Sequence, residues 1–201
     1  MARVSQQAMI LTSASQISKS EKELHGMTLG SVCSLAVYPN PLLQFNLHLP
    51  SYTSAELHRN EYLAIHLLPP TSRSVRLSRI FAKGVKKDKS GKVLDTTKEE
   101  LKDGRVFHEM TTPFANLKLG QDYHLHNINQ DLQIPVLNDV EEIFICKTRN
   151  NFPVDHHEIW VVNVIDILTN KTYVNDYTDK SGGILYFNRG FHKLGDTLRE
   201  N

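Results

Sequence analysis

Runs of strand-forming residues recur along this chain with turns between them, and only two or three short helical stretches interrupt them. Residues 6–14, 26–38, 41–49, 62–68, 142–148, 159–168 and 184–187 each read as a strand, rich in Val, Ile, Leu, Tyr and Phe. Of these, Ile159 to Leu168 is the strongest run, and Thr169 to Thr172 is its turn. Another turn is predicted at Asn150-Asn151-Phe152-Pro153. Strands that do not alternate regularly with helices disfavour a doubly wound parallel sheet. The pattern predicts a mainly β chain, a closed or partly closed antiparallel barrel.

The helical stretches have their own signals. Ser51-Tyr52-Thr53-Ser54 precedes Ala55 to Arg59, so a short helix is expected to begin near Ser54. Thr71 or Ser72 caps a second helix, which ends at Gly84. From Val85 the chain changes character. Lys86 to Lys92 is a basic run, followed by a charged segment, and residues 85–140 read as an insertion in a single domain of 201 residues. A solvated loop is the expected reading of the lysines. Net charge is +1 and no aromatic ladder accompanies them, so neither nucleic acid nor a membrane surface is an expected partner.

Cys33 and Cys146 each stand alone in apolar surroundings, which fits free thiols in a reducing compartment. Ten histidines are scattered without a His-Glu-x-x-His pair, so no metal site is expected. The first 20 residues carry Arg3, Lys19, five serines and no acid, a composition transit peptides share. Ala8 to Thr12 reads better as a core strand, so the expectation is a cytoplasmic protein, with a mitochondrial one as the alternative.

The stretch from His25 to Pro41 stands out. Leu29, Val32, Leu35 and Val37 favour a strand, while Thr28, Gly30, Ser31, Cys33 and Ser34 between them are small, and most can donate a hydrogen bond. Such a strand bares backbone on one side, where a flat polar ring can lie. A serine-rich edge strand with no ligand is the plainer alternative. Asn40 between two prolines predicts a turn, so that residues 42–49 return beside the first run.

Three separated stretches resemble one family. His25-Gly26-Met27-Thr28 with Ser31, Ser34, Pro39 and Pro41 resembles the first signature of the flavin reductase-like family. Asp155-His156 before a long apolar strand resembles its Gly-Asp-His segment. Leu185-Tyr186-Phe187 followed by Arg189 to Gly195 resembles its closing motif. The chain departs from the pattern at Gly30, Val32, Val154 and Asn163. The resemblance implies a six-stranded antiparallel split β-barrel of the Greek-key type with a few short peripheral helices. It also implies bound FMN, ahead of FAD, with NAD(P)H as co-substrate and a homodimer as the assembly.

The site residues follow from the same resemblance. Thr28 and Ser31 are expected to donate to the flavin ring and ribityl chain, with Leu29, Gly30, Val32, Cys33 and Ser34 lining the same wall. Ser51, Thr53 and Ser54 occupy the place of the phosphate cradle, to which Lys83 or Arg79 adds charge. His156 is expected beside flavin and nicotinamide as the catalytic-site histidine, and Tyr186 and Arg189 border the pocket. The plainer readings are helix capping for the hydroxyls, solvated faces for the cations, an unliganded loop for His156 and barrel closure for Tyr186 and Arg189. The function implied is hydride transfer from NAD(P)H to flavin. The alternative is a flavin-binding or interaction protein without reductase turnover.

Overall fold

The computed structural model describes residues 4–20, 23–82, 112–169 and 181–196. In chain order the strands and helices are Gln6–Ser13 (β1), Ser15–Gln16 (β2), Gly26–Leu29 (β3), Cys33–Ala36 (β4), Leu42–His48 (β5), Tyr52–Asn60 (α1), Tyr62–Leu67 (β6) and Ser72–Ala82 (α2). Then come a 3₁₀ turn at Pro113–Asn116, Tyr123–Asn127 (β7), Leu132–Leu137 (β8), Glu142–Val154 (β9), His157–Thr169 (β10), Ile184–Phe187 (β11) and Gly190–Lys193 (β12). Lys83, the Lys86–Lys92 run and the Thr169–Thr172 turn beyond its first residue lie outside the described residues.

All pairings between named strands are antiparallel, and the main sheet runs β12-β11-β1-β6-β9-β10-β5-β4, with β3 also on β1. The mainly β, antiparallel class expected from the strand spacing is what the chain adopts. The run 26–38 is two strands rather than one. Its first half pairs β1, with Met9 opposite Leu29, and its second half pairs β5, with Cys33 opposite Gln44. One broken segment therefore closes the ring β1–β6–β9–β10–β5, and the break falls at Gly30-Ser31-Val32.

The central strands are buried on both faces, which is why Met9-Ile10-Leu11 and Leu63-Ala64-Ile65 read as continuous rather than alternating apolar runs. Met9, Leu11, Leu63 and Ile65 point inward to meet Met27, Phe45, Leu47, Trp160 and Val162, with Leu57 of α1 plugging the end. Ala8, Ile10 and Ala64 point outward into a second core. That core is built from Leu77 and Phe81 of α2 and from Phe114, Tyr123, Ile134 and Val136. Residues 113–140 thus supply a packed layer, not an exposed loop. β7 and β8 form a hairpin that continues onto β2. Gly26 of β3 admits close packing against β1: a Cβ there would meet the Leu11 carbonyl oxygen at 2.5 Å.

Two boundaries differ from expectation. β9 runs through Asn150 to Val154, because the long β10 run offers partners the whole way, with Asn151 opposite Trp160 and Phe152 opposite Ile159. The turn falls instead at Asp155-His156, where Asp155 takes a φ of 51°. Likewise α1 starts at Tyr52, capped by Ser51, whose hydroxyl accepts from the Ser54 N–H at 3.2 Å. Thr71 caps α2 by accepting from the Ser74 N–H at 3.2 Å. No helix among the described residues is long and apolar enough to cross a membrane.

Candidate functional site

The break in the closing segment opens on two hollows that share Gln6, Thr28, Leu29 and Gly30. The larger, about 420 Å³, is bordered by Thr28, Gly30, Arg79, Tyr186, Arg189 and Phe191. The smaller, about 260 Å³, is bordered by Met27, Gly30, Ser31, Asn46, His48 and His157. Together they form one cleft along the seam, with Gly30 in the middle. A Cβ at Gly30 would meet the Gln6 Oε1 at 2.5 Å, so the bare backbone here lets the Gln6 side chain pack against it.

The seam's hydroxyls are partly committed. Thr28 donates through Oγ1 to the Ser78 carbonyl at 2.7 Å, tying β3 to α2. The Asn46 N–H donates to Ser31 Oγ at 3.1 Å, stitching the break to β5. Val32 is buried in the inner core, while Cys33 and Ser34 are exposed on β4. Gln44 donates to Cys33 Sγ at 3.1 Å. Burial pushes the other thiol, Cys146, up to about 12, which leaves it an inert core group.

Beyond the His48 end of the cleft the chain reaches α1 within a few residues. The Leu49 N–H donates to the His156 carbonyl at 2.8 Å, so the β9–β10 turn fixes the approach to the helix. Ser51, Thr53 and Ser54 are all buried at its first turn, which contains no acidic residue. Ser54 N–H is taken by Ser51, and the Ala55 N–H by the Ser51 carbonyl at 3.1 Å. The Ser54 hydroxyl donates to Glu158 Oε2 at 2.5 Å. His58 Nε2 sits 2.8 Å from Glu158 Oε1, and the His58 ring packs edge-on against Trp160 at 4.8 Å. Burial pushes the Glu158 carboxyl up. Hydrogen bonds from Ser54 and His58, the nearby His58 charge and Trp160 outweigh this and bring it below the ordinary range.

His156 is exposed and borders neither hollow through the residues named here. Its neighbour His157 does border the smaller one, its ring edge-on to His48 at 4.9 Å. Pairing explains the exchange: His157 is in the β10 ladder opposite His48, whereas His156 belongs to the turn.

Arg189 sits in the two-residue turn joining β11 and β12. Asn188 and Arg189 take φ values of 47° and 63°, as primed hairpin turns require. Asparagine suits this conformation. Arginine in the second place carries a backbone penalty of roughly 1 kcal/mol, where glycine would carry none. Arg79 and Arg189 have no ion pair among the described residues, and no acidic side chain borders the larger hollow. Tyr186 and Phe191 meet edge-on at 5.2 Å beside them.

A model of the flavin reductase like domain matches residues 1–195. The chain belongs to this family. Its fold is also that of solved members. A putative flavin reductase from Haemophilus somnus is 21% identical with a TM-score of 0.63, over 96% of this chain and 94% of that one. A flavin reductase domain protein from an Arthrobacter species is 18% identical with a TM-score of 0.65, over 100% and 94%. The NADH:FAD oxidoreductase SgcE6 of Streptomyces globisporus, solved with NAD and FAD fragments, is 14% identical with a TM-score of 0.63, over 96% and 88%.

Within this flavin reductase like domain the seam brings together Thr28, Leu29, Gly30, Ser31, Tyr186 and Arg189. Gln6, Asn46, His48 and His157 join them without any motif to single them out. Strand alternation points to Asn46 and His48, exposed or half-buried between buried Phe45 and Leu47. Nothing local points to Gln6. Among the described residues no group of three or more His, Cys, Asp or Glu side chains could hold a metal ion.

Proposed function

We propose that this protein binds FMN along the seam and reduces it with NAD(P)H, as a flavin reductase-like oxidoreductase. The observation that carries the reading is the cleft at the break Gly30-Ser31-Val32, bordered by Thr28, Gly30 and Ser31 and by Asn46 and His48 of the strand that leads into α1. The chain's donors fit such a cofactor. Asn46 and Ser31 hold the break in place, and the Gln6 side chain that lies over Gly30 offers an amide to a polar ring at the seam. The N–H groups of Tyr52 and Thr53, unclaimed by the helix itself, and the Thr53 hydroxyl suit a terminal phosphate at the positive end of the helix. When bound, the flavin supplies the hydride-accepting chemistry. The chain's part is to orient both partners and exclude water, with Gln6, Ser31, Asn46, His48 and His157 among the polar residues bordering the seam and Leu29 among the apolar ones.

The purified protein is expected to be yellow, and to bleach anaerobically on adding NADPH or NADH. A flavin-loaded sample that bleaches with neither would leave a flavin-binding protein without turnover. Thr53→Val removes a donor while keeping shape, and is expected to weaken FMN binding by about tenfold, the worth of one hydrogen bond to a charged group. An unchanged affinity would move the phosphate away from α1.

The assembly we propose is a homodimer. Supporting it, Phe152 and Ile159 lie opposite each other on the outer face of β9–β10 and are 50% and 36% exposed, with Ile165 and Ile167 further along at 52% and 50%. Light scattering is expected to give twice the chain mass, and a double change, Phe152→Glu with Ile159→Glu, to give the single-chain mass. A monomeric parent protein would refute this.

A further inference from the structure

We infer that the hollow bordered by Arg79 and Arg189 takes a phosphate monoester carried on the ribose of a purine nucleoside, and that its source is the 2′-phosphoadenosine end of NADPH, so that the protein prefers NADPH to NADH. The inference rests on the reading of the protein as an NAD(P)H-dependent flavin oxidoreductase and adds which nucleotide it takes.

Three features of the hollow carry it. The first is charge. Two exposed arginines border about 420 Å³, with no acidic residue on the lining and no ion pair to either arginine among the described residues. A ligand that balances them carries close to two negative charges. A phosphate monoester does so at neutral pH, while each bridging phosphate of a dinucleotide carries only one. Arginine also offers paired donors to phosphate oxygens. The second is the apolar part of the wall. Tyr186 and Phe191 stand beside the arginines, and Ala8, Leu29 and Ala82 add further apolar lining, a surface suited to an adenine ring.

The third feature is the turn itself. The Asn188-Arg189 hairpin holds an arginine at φ 63°, where glycine fits without strain. Retaining a side chain there at a conformational cost points to use of the guanidinium rather than to turn formation. The flavin's own terminal phosphate is the other source of the same chemistry. The hydroxyl-rich first turn of α1 follows His48 in the chain and contributes no residue to the arginine hollow, so the two phosphates have separate places.

The test titrates the full-length protein with 2′,5′-ADP and with 5′-AMP by calorimetry, alongside FMN titration by absorbance. The expected result is that 2′,5′-ADP binds at least about tenfold tighter than 5′-AMP, the scale of a charge-assisted arginine contact. Arg79→Gln and Arg189→Gln are each expected to lose most of that advantage, with a smaller change in FMN affinity than in 2′,5′-ADP affinity. Arg189→Gly is expected to lose it too, with a melting temperature equal to or above the parent's, which separates ligand binding from a role in closing the barrel. Equal affinity for the two adenosine phosphates in the parent protein overturns the inference. So does a loss of FMN binding in both arginine variants, which would give the hollow to the flavin phosphate. A protein that takes no flavin would defeat the reductase reading, yet the two adenosine phosphates would still decide what the hollow binds.

Discussion

Replacing His66 with alanine is expected to lower the unfolding free energy by about 3–4 kcal/mol. The same change should flatten the dependence of stability on pH between 6.5 and about 4, the ordinary and folded values for this group. His66 is fully buried in β6, and it joins three strands. Its Nδ1 lies 2.9 Å from the Ile10 carbonyl of β1, and its Nε2 accepts from the Leu137 N–H of β8 at 3.1 Å. That pair of bonds requires the neutral ring with its proton on Nδ1. Alanine would leave the Leu137 N–H unpaired in a dry interior and open a cavity between the two layers.

The pH effect follows from the same burial. Removal from water pushes the ring down to about 4, against the opposing pull of the Ile10 carbonyl and with a smaller push from His124. Above 6.5 the ring is neutral folded and unfolded alike, so it adds no slope. Between 6.5 and about 4 only the unfolded chain takes up the proton, and stability falls as pH falls, by on the order of 3 kcal/mol in all. Below that range both states are charged and the slope vanishes. Urea unfolding at a series of pH values, parent against His66→Ala, isolates this contribution from the other titrating groups. Parallel curves would show that His66 is protonated in the fold and that the bonding pattern is misassigned.

His66 also shows where sequence reasoning stops. The run Tyr62 to Leu67 reads as a strand, and it is one, but a histidine in it gives no local sign that a second layer will cover its outer face. That layer comes from residues 113–140, whose short, weakly patterned runs are individually poor strand or helix signals. Their apolar residues make sense only once Phe114, Tyr123 and Val136 are seen packed on Ala8, Ile10 and Ala64. Strand existence was legible because β-branched runs and turn residues are local. The break at Gly30-Ser31-Val32 was not, because it depends on two different partners, β1 and β5, for the two halves of one run. The same holds at the site. Tyr186 and Arg189 were readable from their motif, and they do reach the seam. His157 rather than His156 reaches it because a non-local pairing with β5, and not the motif, decides which histidine enters the ladder.

Glu158 is the other position where a single change is expected to have a large effect, and there stability and binding should move in opposite directions. Glu158 is 8% exposed; its carboxylate accepts from Ser54 and meets His58, and its pKa is held below the ordinary carboxylate range. Glu158→Ala strands a buried hydroxyl and is expected to cost about 3 kcal/mol. In the parent this stabilisation is complete above the ordinary carboxylate pKa of 4.5 and is lost as pH falls through the lowered folded value. Glu158→Gln keeps the shape and one acceptor, and a loss of roughly 1–2 kcal/mol is expected. Yet the charge it removes faces the first turn of α1, the end at which a phosphate is favoured by the helix dipole. If FMN places its phosphate there, Glu158→Gln should bind FMN roughly threefold tighter, a change on the scale of one charge at a helix terminus. Riboflavin, which lacks the phosphate, should bind the two proteins equally. A variant that loses stability but binds both flavins as the parent does would leave Glu158 as a support for α1 and Trp160 and place the phosphate elsewhere on the seam.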